Sequence, residues 1–498
     1  MLPVGSPDTM TAYRPRLRAH LRIEAEELVD PLLNRSFPLH GTVAALAPRL
    51  DGVAEWDAIR AGLIADGLDG DDVDSSLRGL LCVHLVEGAG DQVTAALQAM
   101  IATDEELPMT TLGGARFACQ GSGGCCTGYS FGPLSEPDIA RLEGLDLAGA
   151  FPHLSAPYLE DGERGRFLRR DGERCIFLGA DRRCGIHAVF GAEAKPGFCQ
   201  IYPLDSFVTV DGVRVVDRGT CATFGVSARK GLPVVDDLPR VRAMLEPRTL
   251  HHPLAFVDGL PWDYGLFLRF TGAAIALVER GLATAGETLA AITELLDALV
   301  AAVHDCPLEA GQPDAAVAAV LAADPTSWYR EPDHVSAIIG QRRLVSLLDE
   351  LAPAMSEAVA AGHAQATAAR FDQLVELIEH VANALVERDG SATAVIHGPD
   401  VDDALRISMR QQLFGRAALV GGHVGAGLIR LGLLQLFALA AARKQAGDRP
   451  LVAADLNAGH SLAARVLESG ALDRLLVFHE SRWRPLVAGI AIAMRVVG

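Results

Sequence analysis

Seven of the nine cysteines fall in one stretch: Cys119, Cys125, Cys126, Cys175, Cys184, Cys199 and Cys221. An even spread would put about two there. Thiols gathered this way form disulfides, bind a metal or an iron–sulfur cluster, or carry out thiol chemistry. Disulfides fit poorly. The number in the stretch is odd, and Cys125 and Cys126 are adjacent, where two side chains rarely both reach bridge geometry. The first thirty residues hold no apolar run of secretory length, so a cytoplasmic location is expected, where thiols stay reduced. Two common metal templates are absent. A radical S-adenosylmethionine loop needs C-x3-C-x2-C, whereas here five residues separate Cys119 from Cys125 and none separate Cys125 from Cys126. A zinc ribbon needs paired C-x2-C knuckles, and there are none.

A less usual thiolate site remains. Cys119 to Cys126 is a glycine-rich loop with thiols at its ends, and glycine lets a backbone wrap closely around an ion or cluster. Adjacent cysteines do not easily fill two corners of one undistorted tetrahedron. They serve two neighbouring ions, or one ligates while the other packs. Cys175 and Cys184 flank a short turn, Gly179 to Arg183. His187 follows Cys184 by three and is a further candidate ligand, with a hydrogen-bonding role as the plainer reading. Lys195-Pro196 sets the direction of the chain into Cys199. Four thiolates saturate one zinc or one iron–sulfur cluster, so seven leave room for two sites, or for one site and spare or reactive thiols.

The blocks Phe117-Ala118-Cys119, Cys125-Cys126, Cys175-Ile176-Phe177-Leu178, Cys184-Gly185-Ile186-His187, Lys195-Pro196-Gly197-Phe198-Cys199 and Tyr202-Pro203 resemble the CxxCxxCC cysteine-cluster family. This is a zinc- or iron-chelating family that includes flagellin lysine N-methylase. Order and spacing match over about a fifth of the chain, and Arg410-Gln411-Gln412-Leu413-Phe414 is a weaker echo of the flagellin methylase. Two departures stand out. The family's second cysteine falls at Ser122, and a frequent tyrosine is His187 here. His187 or Cys221 would complete the ligand set. The resemblance implies zinc, iron or iron–sulfur binding. It further implies protein-lysine methylation with S-adenosylmethionine as methyl donor and a protein substrate such as flagellin.

The residues themselves do not reach a methyl transfer. A methyl donor needs a nucleotide pocket, often a glycine-rich turn after a strand. The one candidate, Gly421 to Gly427, lies in a helical pattern and reads as helix packing. No nucleophile elbow or paired carboxylates stand out, so no catalytic residue is assigned. The Arg169-Arg170 and Arg182-Arg183 doublets read as solvated turns. Two alternatives stay open: a non-catalytic protein stapled by its metal around an interaction surface, and a metal-handling protein.

These thiols need a scaffold. The 498 residues are half hydrophobic and carry a formal charge of −19, from 63 acidic and 44 basic residues. That balance argues against nucleic acid and against an anionic membrane surface. The expected fold is mainly α, in three regions. Residues 1–108 form a helical, winged-helix-like or peptide-chaperone-like module, on the spacing of Val43, Leu46 and Leu50, of Trp56, Ile59 and Leu63, and of Val73, Leu77 and Leu80. Residues 109–230 form a small, loop- and hairpin-rich cysteine-cluster domain. Two β-rich runs from Phe207 to Val216 flank Asp211-Gly212, a favoured hairpin turn, which would bring Cys199 and Cys221 together. Residues 231–498 are helical, with stripes at Leu289–Val303, at Leu344–Leu351 ending near Pro353, and at Phe371–Leu385 ending at Asp389-Gly390. Further helices are expected over 401–415, 417–442, 459–470 and 483–495. The second of these reads as part of the buried core, not as a membrane span. Cys82 and Cys306 read as inert thiols.

Overall fold

The computed structural model describes residues 13–497, apart from 25, 31–34, 83–84, 88–107, 128–130, 163–164, 210–211, 245–248, 251–254, 258–259, 263, 283, 305–313, 331–333, 361–367, 388–397, 416–419, 421 and 468–469. Cys306 and Asp389-Gly390 lie outside the described residues, and so does the Cys82 side chain.

The N-terminal region begins with a sheet that periodicity did not reveal. Strands β1 (Arg22–Glu24), β2 (Glu27–Asp30) and β3 (Arg35–Pro38) form an antiparallel meander in that order. Each has only three or four residues, too few for alternation to register. Of their apolar side chains Leu28 is buried, while Ile23 is largely exposed. Helices α1 (Gly41–Leu46), α2 (Trp56–Ala65) and α3 (Gly70–Cys82) follow where their apolar spacing placed them. Leu46, Trp56, Ile59, Leu63, Val73 and Leu77 pack with Leu28 in one core.

The central region is built on small sheets. After β4 (Met109–Thr111) come α4 (Glu136–Glu143), the strands β5 (Leu159–Gly162) and β6 (Gly165–Leu168), and two short helices, α5 (Gly185–Phe190) and α6 (Gly197–Ile201). The expected hairpin is present as β7 (Leu204–Thr209) and β8 (Gly212–Asp217), with Thr209 opposite Gly212 and Leu204 opposite Asp217. Parallel pairing adds β4 beside β8, and β9 (Thr249–Leu250) beside β7. Every residue of β8 is buried, which no solvent-facing hairpin would allow. The reason is a helix on its outer face.

That helix belongs to the C-terminal layer: α7 (Phe224–Lys230), α8 (Tyr264–Arg280), α9 (Ala285–His304), α10 (His334–Ala360), α11 (Ala368–Glu387), α12 (Pro399–Phe414), α13 (Val424–Ala446), α14 (Ala453–Leu467) and α15 (Trp483–Val497). The stretch Arg410–Phe414 on α12 clamps the hairpin. Arg214 Nη1 donates to the Phe414 carbonyl at 3.0 Å and its guanidinium lies 5.0 Å from the Phe414 ring centre. Gln411 accepts from the Asp217 N–H, and Gln412 donates to the Arg218 carbonyl. Helix α10 does not end at Pro353 but runs on to Ala360. Proline removes one hydrogen bond of the ladder, and flanking packing carries the helix past it; Leu344, Leu347, Leu348 and Leu351 are all buried just before it.

Helix α13 is long and apolar enough to cross a membrane by length and composition, yet nearly all of it is buried among the other helices. The glycine-rich stretch before and within it answers to packing. A Cβ on Gly425 would lie 2.6 Å from the fully buried Trp483 ring of the α15 start. We therefore expect Gly425→Ala to lower stability by roughly 1–3 kcal/mol through overpacking, measured as a shifted urea midpoint with an unchanged slope. An unchanged midpoint would show that this contact does not constrain the helix pair.

Candidate metal centre

Two loops bring the sulfurs together. The first ends in a single tight helical turn, Gly124–Cys126. The second is the turn between Cys175 and Cys184, closed by Gly179 N–H on the Arg183 carbonyl at 2.9 Å and by the Asp181 carboxylate on the Arg183 N–H. Gly123 joins the loops. Its φ is +69°, and a Cβ there would lie 2.4 Å from the Arg182 carbonyl oxygen. Only glycine supplies both the left-handed backbone and the close approach. Arg182 itself takes a positive φ of 64°, and the Arg182-Arg183 doublet is exposed, as expected of a solvated turn.

Cys126 lies at the centre. It is buried, its Sγ is 3.7 Å from the Cys125 Sγ, and it also shares a hydrogen bond with Cys184. Those two contacts, and then burial, push its pKa upward, so Cys126 holds the one proton its neighbours share. The acceptors move the other way. Cys125 comes down to about 7, first through the bond from Cys126 and then through the charge of Lys195. Cys184 comes down to about 6, first through Cys126, then through the His187 N–H at the start of α5, Lys195 and the Ile186 N–H. Burial pushes Cys175 up to about 12 and Cys199 well above the usual thiol range. Cys125 and Cys184 act electrostatically on both, and Cys175 acts on Cys126 and Cys199. Five thiols thus act on one another electrostatically. As the side chains stand, no group of three or more Cys, His, Asp or Glu among the described residues is spaced to hold a metal ion.

Three expected ligands are elsewhere. Cys119 is exposed. The His187 side chain is on the exposed face of α5, and only its backbone reaches Cys184. The hairpin does bring its ends together, with Tyr202 Oη donating to the Thr220 carbonyl at 2.8 Å. Cys221, however, faces Thr223 Oγ1 at 3.1 Å and Ser122 Oγ at 3.9 Å.

Two contributors were not legible as such. Lys195, read as a chain-directing residue, is buried with its charge beside Cys125, Cys184 and Cys199. Arg465 on α14 donates to the Gly124 carbonyl at 2.9 Å, next to Cys125, and also to the Thr220 carbonyl. Ser461 reaches that same Thr220 carbonyl at 2.7 Å. The available signal was a polar stripe on an apolar helix: Asn457, His460, Ser461 and Arg465 recur at helical spacing.

His460 anchors the stripe. Its Nδ1 lies 3.1 Å from the Gly219 carbonyl, which assigns the proton there and leaves Nε2 to accept from the Ser408 hydroxyl. Ser408 in turn accepts from Gln435 at 3.0 Å. Burial lowers the His460 pKa to about 4. On the neighbouring strand end, burial raises Asp217 to about 6, partly offset by the Gly219 N–H it accepts at 2.8 Å.

No protein-family model, curated protein or solved structure matches this chain.

The two buried groups oppose each other in pH. The folded pKa of His460 is below its unfolded value near 6.5, so the stability tied to its neutral form is full above 6.5 and is lost as pH falls to about 4. Asp217 is raised, so its contribution is full below 3.8 and is lost as pH rises through about 6. Each amounts to something on the order of 3 kcal/mol. Asp217→Asn should therefore raise stability at pH 7 and steepen the acid loss between pH 6 and 4, whereas His460→Gln should flatten it. Urea unfolding of both variants at several pH values checks the slopes, whatever the change in level.

Proposed function

We propose that Cys125, Cys126, Cys175, Cys184 and Cys199 hold a metal centre, either zinc or an iron or iron–sulfur cluster. The observation that carries this reading is the position of Cys126, hydrogen-bonded to two thiols that favour the thiolate, with a buried lysine opposite. The distances support it. Thiolates bind zinc at about 2.3 Å, so two corners of a tetrahedron lie roughly 3.8 Å apart. The adjacent Cys125 and Cys126 sulfurs, 3.7 Å apart, match that edge. Loading requires Cys126 to release its proton, so binding is favoured as pH rises. Four thiolates complete a zinc or cluster site, leaving a fifth thiol beside it. Burial of Cys126 and Cys175 favours a resident centre over exposed thiols that pass metal to a client.

Protein-lysine methylation rests on the family resemblance alone. Under it the purified protein binds S-adenosylmethionine and adds methyl mass to a basic region of a protein such as flagellin. The N-terminal unit gives such a substrate a place to dock. In the described sheet β1 and β3 each pair on one side only, and a sheet edge takes an extended peptide by strand addition.

The test is anaerobic purification followed by metal analysis and an absorption spectrum. Iron–sulfur ligation gives a broad visible band; zinc gives none. Cys126→Ser and Cys199→Ser should lose most of the bound metal, while Cys119→Ser and Cys221→Ser keep it. Full metal content in both of the first pair would overturn the assignment.

A further inference from the structure

A cleft of about 310 Å3 opens between the end of α4, the segment around Tyr158 and strand β6. Its floor is the buried Leu142, Leu168 and Phe177. Tyr158 and Phe177 line it as an aromatic pair, ring centres 5.9 Å apart and tilted by 35°. At the rim stand the carboxylates of Glu143 and Asp146 and the guanidinium of Arg166. Arg166 is already engaged, at 3.0 Å from Glu143 and 3.8 Å from Asp161. Asp146 accepts from the Gly149 N–H at 2.9 Å. The rim therefore carries more negative than positive charge above an aromatic and aliphatic floor.

Those features select a ligand class. An anion would meet surplus carboxylates. A neutral apolar group would gain nothing from the rim. A cation with an apolar shell gains from both, because ring faces attract positive charge and carboxylates complement it. The volume, at the lower end for small-molecule sites, sets the size. We propose that this cleft binds a quaternary or tertiary alkylammonium group about as large as choline.

The full-length protein is titrated calorimetrically with choline and with its neutral isostere, 3,3-dimethylbutan-1-ol. Choline should bind saturably and roughly tenfold or more tighter than the isostere. Tyr158→Leu and Glu143→Gln should each weaken choline at least about threefold, while Tyr158→Phe, which keeps the ring, should retain it. Thermal melts confirm that each variant folds. Equal binding of choline and isostere, no saturable choline binding, or a folded Tyr158→Leu protein with unchanged affinity would each overturn the proposal. Cys126→Ser should leave choline binding intact, so failure of the metal assignment and failure of this one are separable.

Discussion

A thiolate taken out of water needs a counter-charge, and here Lys195 supplies it. Its side chain is buried, and its charge acts on Cys125, Cys184 and Cys199. A buried lysine is costly unless negative charge sits close by. Thiols that ionise are equally costly unless positive charge does. Each requirement answers the other, and the shared proton on Cys126 limits how many negative charges the cluster carries at once. One lysine cannot balance four thiolates. A bound divalent ion or cluster would balance the remainder, which is why the proposed metal and the observed lysine belong to the same argument.

The cluster does not hold itself in place. Its apolar surround is small, centred on Phe131, Ile139, Leu142, Leu168, Phe177 and Ile186. Rigidity comes from the helical layer, through two patches. Arg410–Phe414 grips the hairpin by backbone and side-chain contacts. The polar stripe on α14 grips the segment that leaves the hairpin, and its last member, Arg465, reaches on to the carbonyl beside Cys125. The Thr220 carbonyl accepts from Tyr202, Ser461 and Arg465 together, and Arg465 also reaches the Gly124 carbonyl, so one arginine ties the segment after the hairpin, the cysteine loop and the helical core together. A neutral His460 is part of the same junction. Charging it would place an unpaired cation in a dry interface, which is why its pKa falls so far.

Much of this was legible in the residue pattern, in proportion to element length. The long C-terminal helices announced themselves by apolar spacing, and the hairpin by its turn dipeptide. The density of cysteines marked the stretch in which Cys125, Cys126, Cys175, Cys184 and Cys199 act on one another. What failed to show was whatever depends on orientation. Cys119, Cys221 and His187 have ligand chemistry, yet Cys119 and the His187 side chain are exposed and Cys221 faces Thr223. Lys195 and Arg465 carry no metal-ligand signature and act through charge and hydrogen bonding across long sequence separations. The N-terminal meander fell below the length at which alternation can be read. Pro353 misled because a helix end was inferred from one residue, when buried leucines on the turns before it hold the helix.

The adjacent cysteines are the most instructive case. Two neighbours along an extended strand point to opposite faces, so sequence alone argues against a shared ion. Here the backbone at Gly124–Cys126 is not extended but wound into a tight turn, entered through a left-handed Gly123. Winding swings successive side chains through much less than a half-turn, and both sulfurs fall on the same side. The glycine that permits the turn is also the one against which the second cysteine loop packs. A single backbone position therefore decides both how two thiols come to lie 3.7 Å apart and which other thiols they meet.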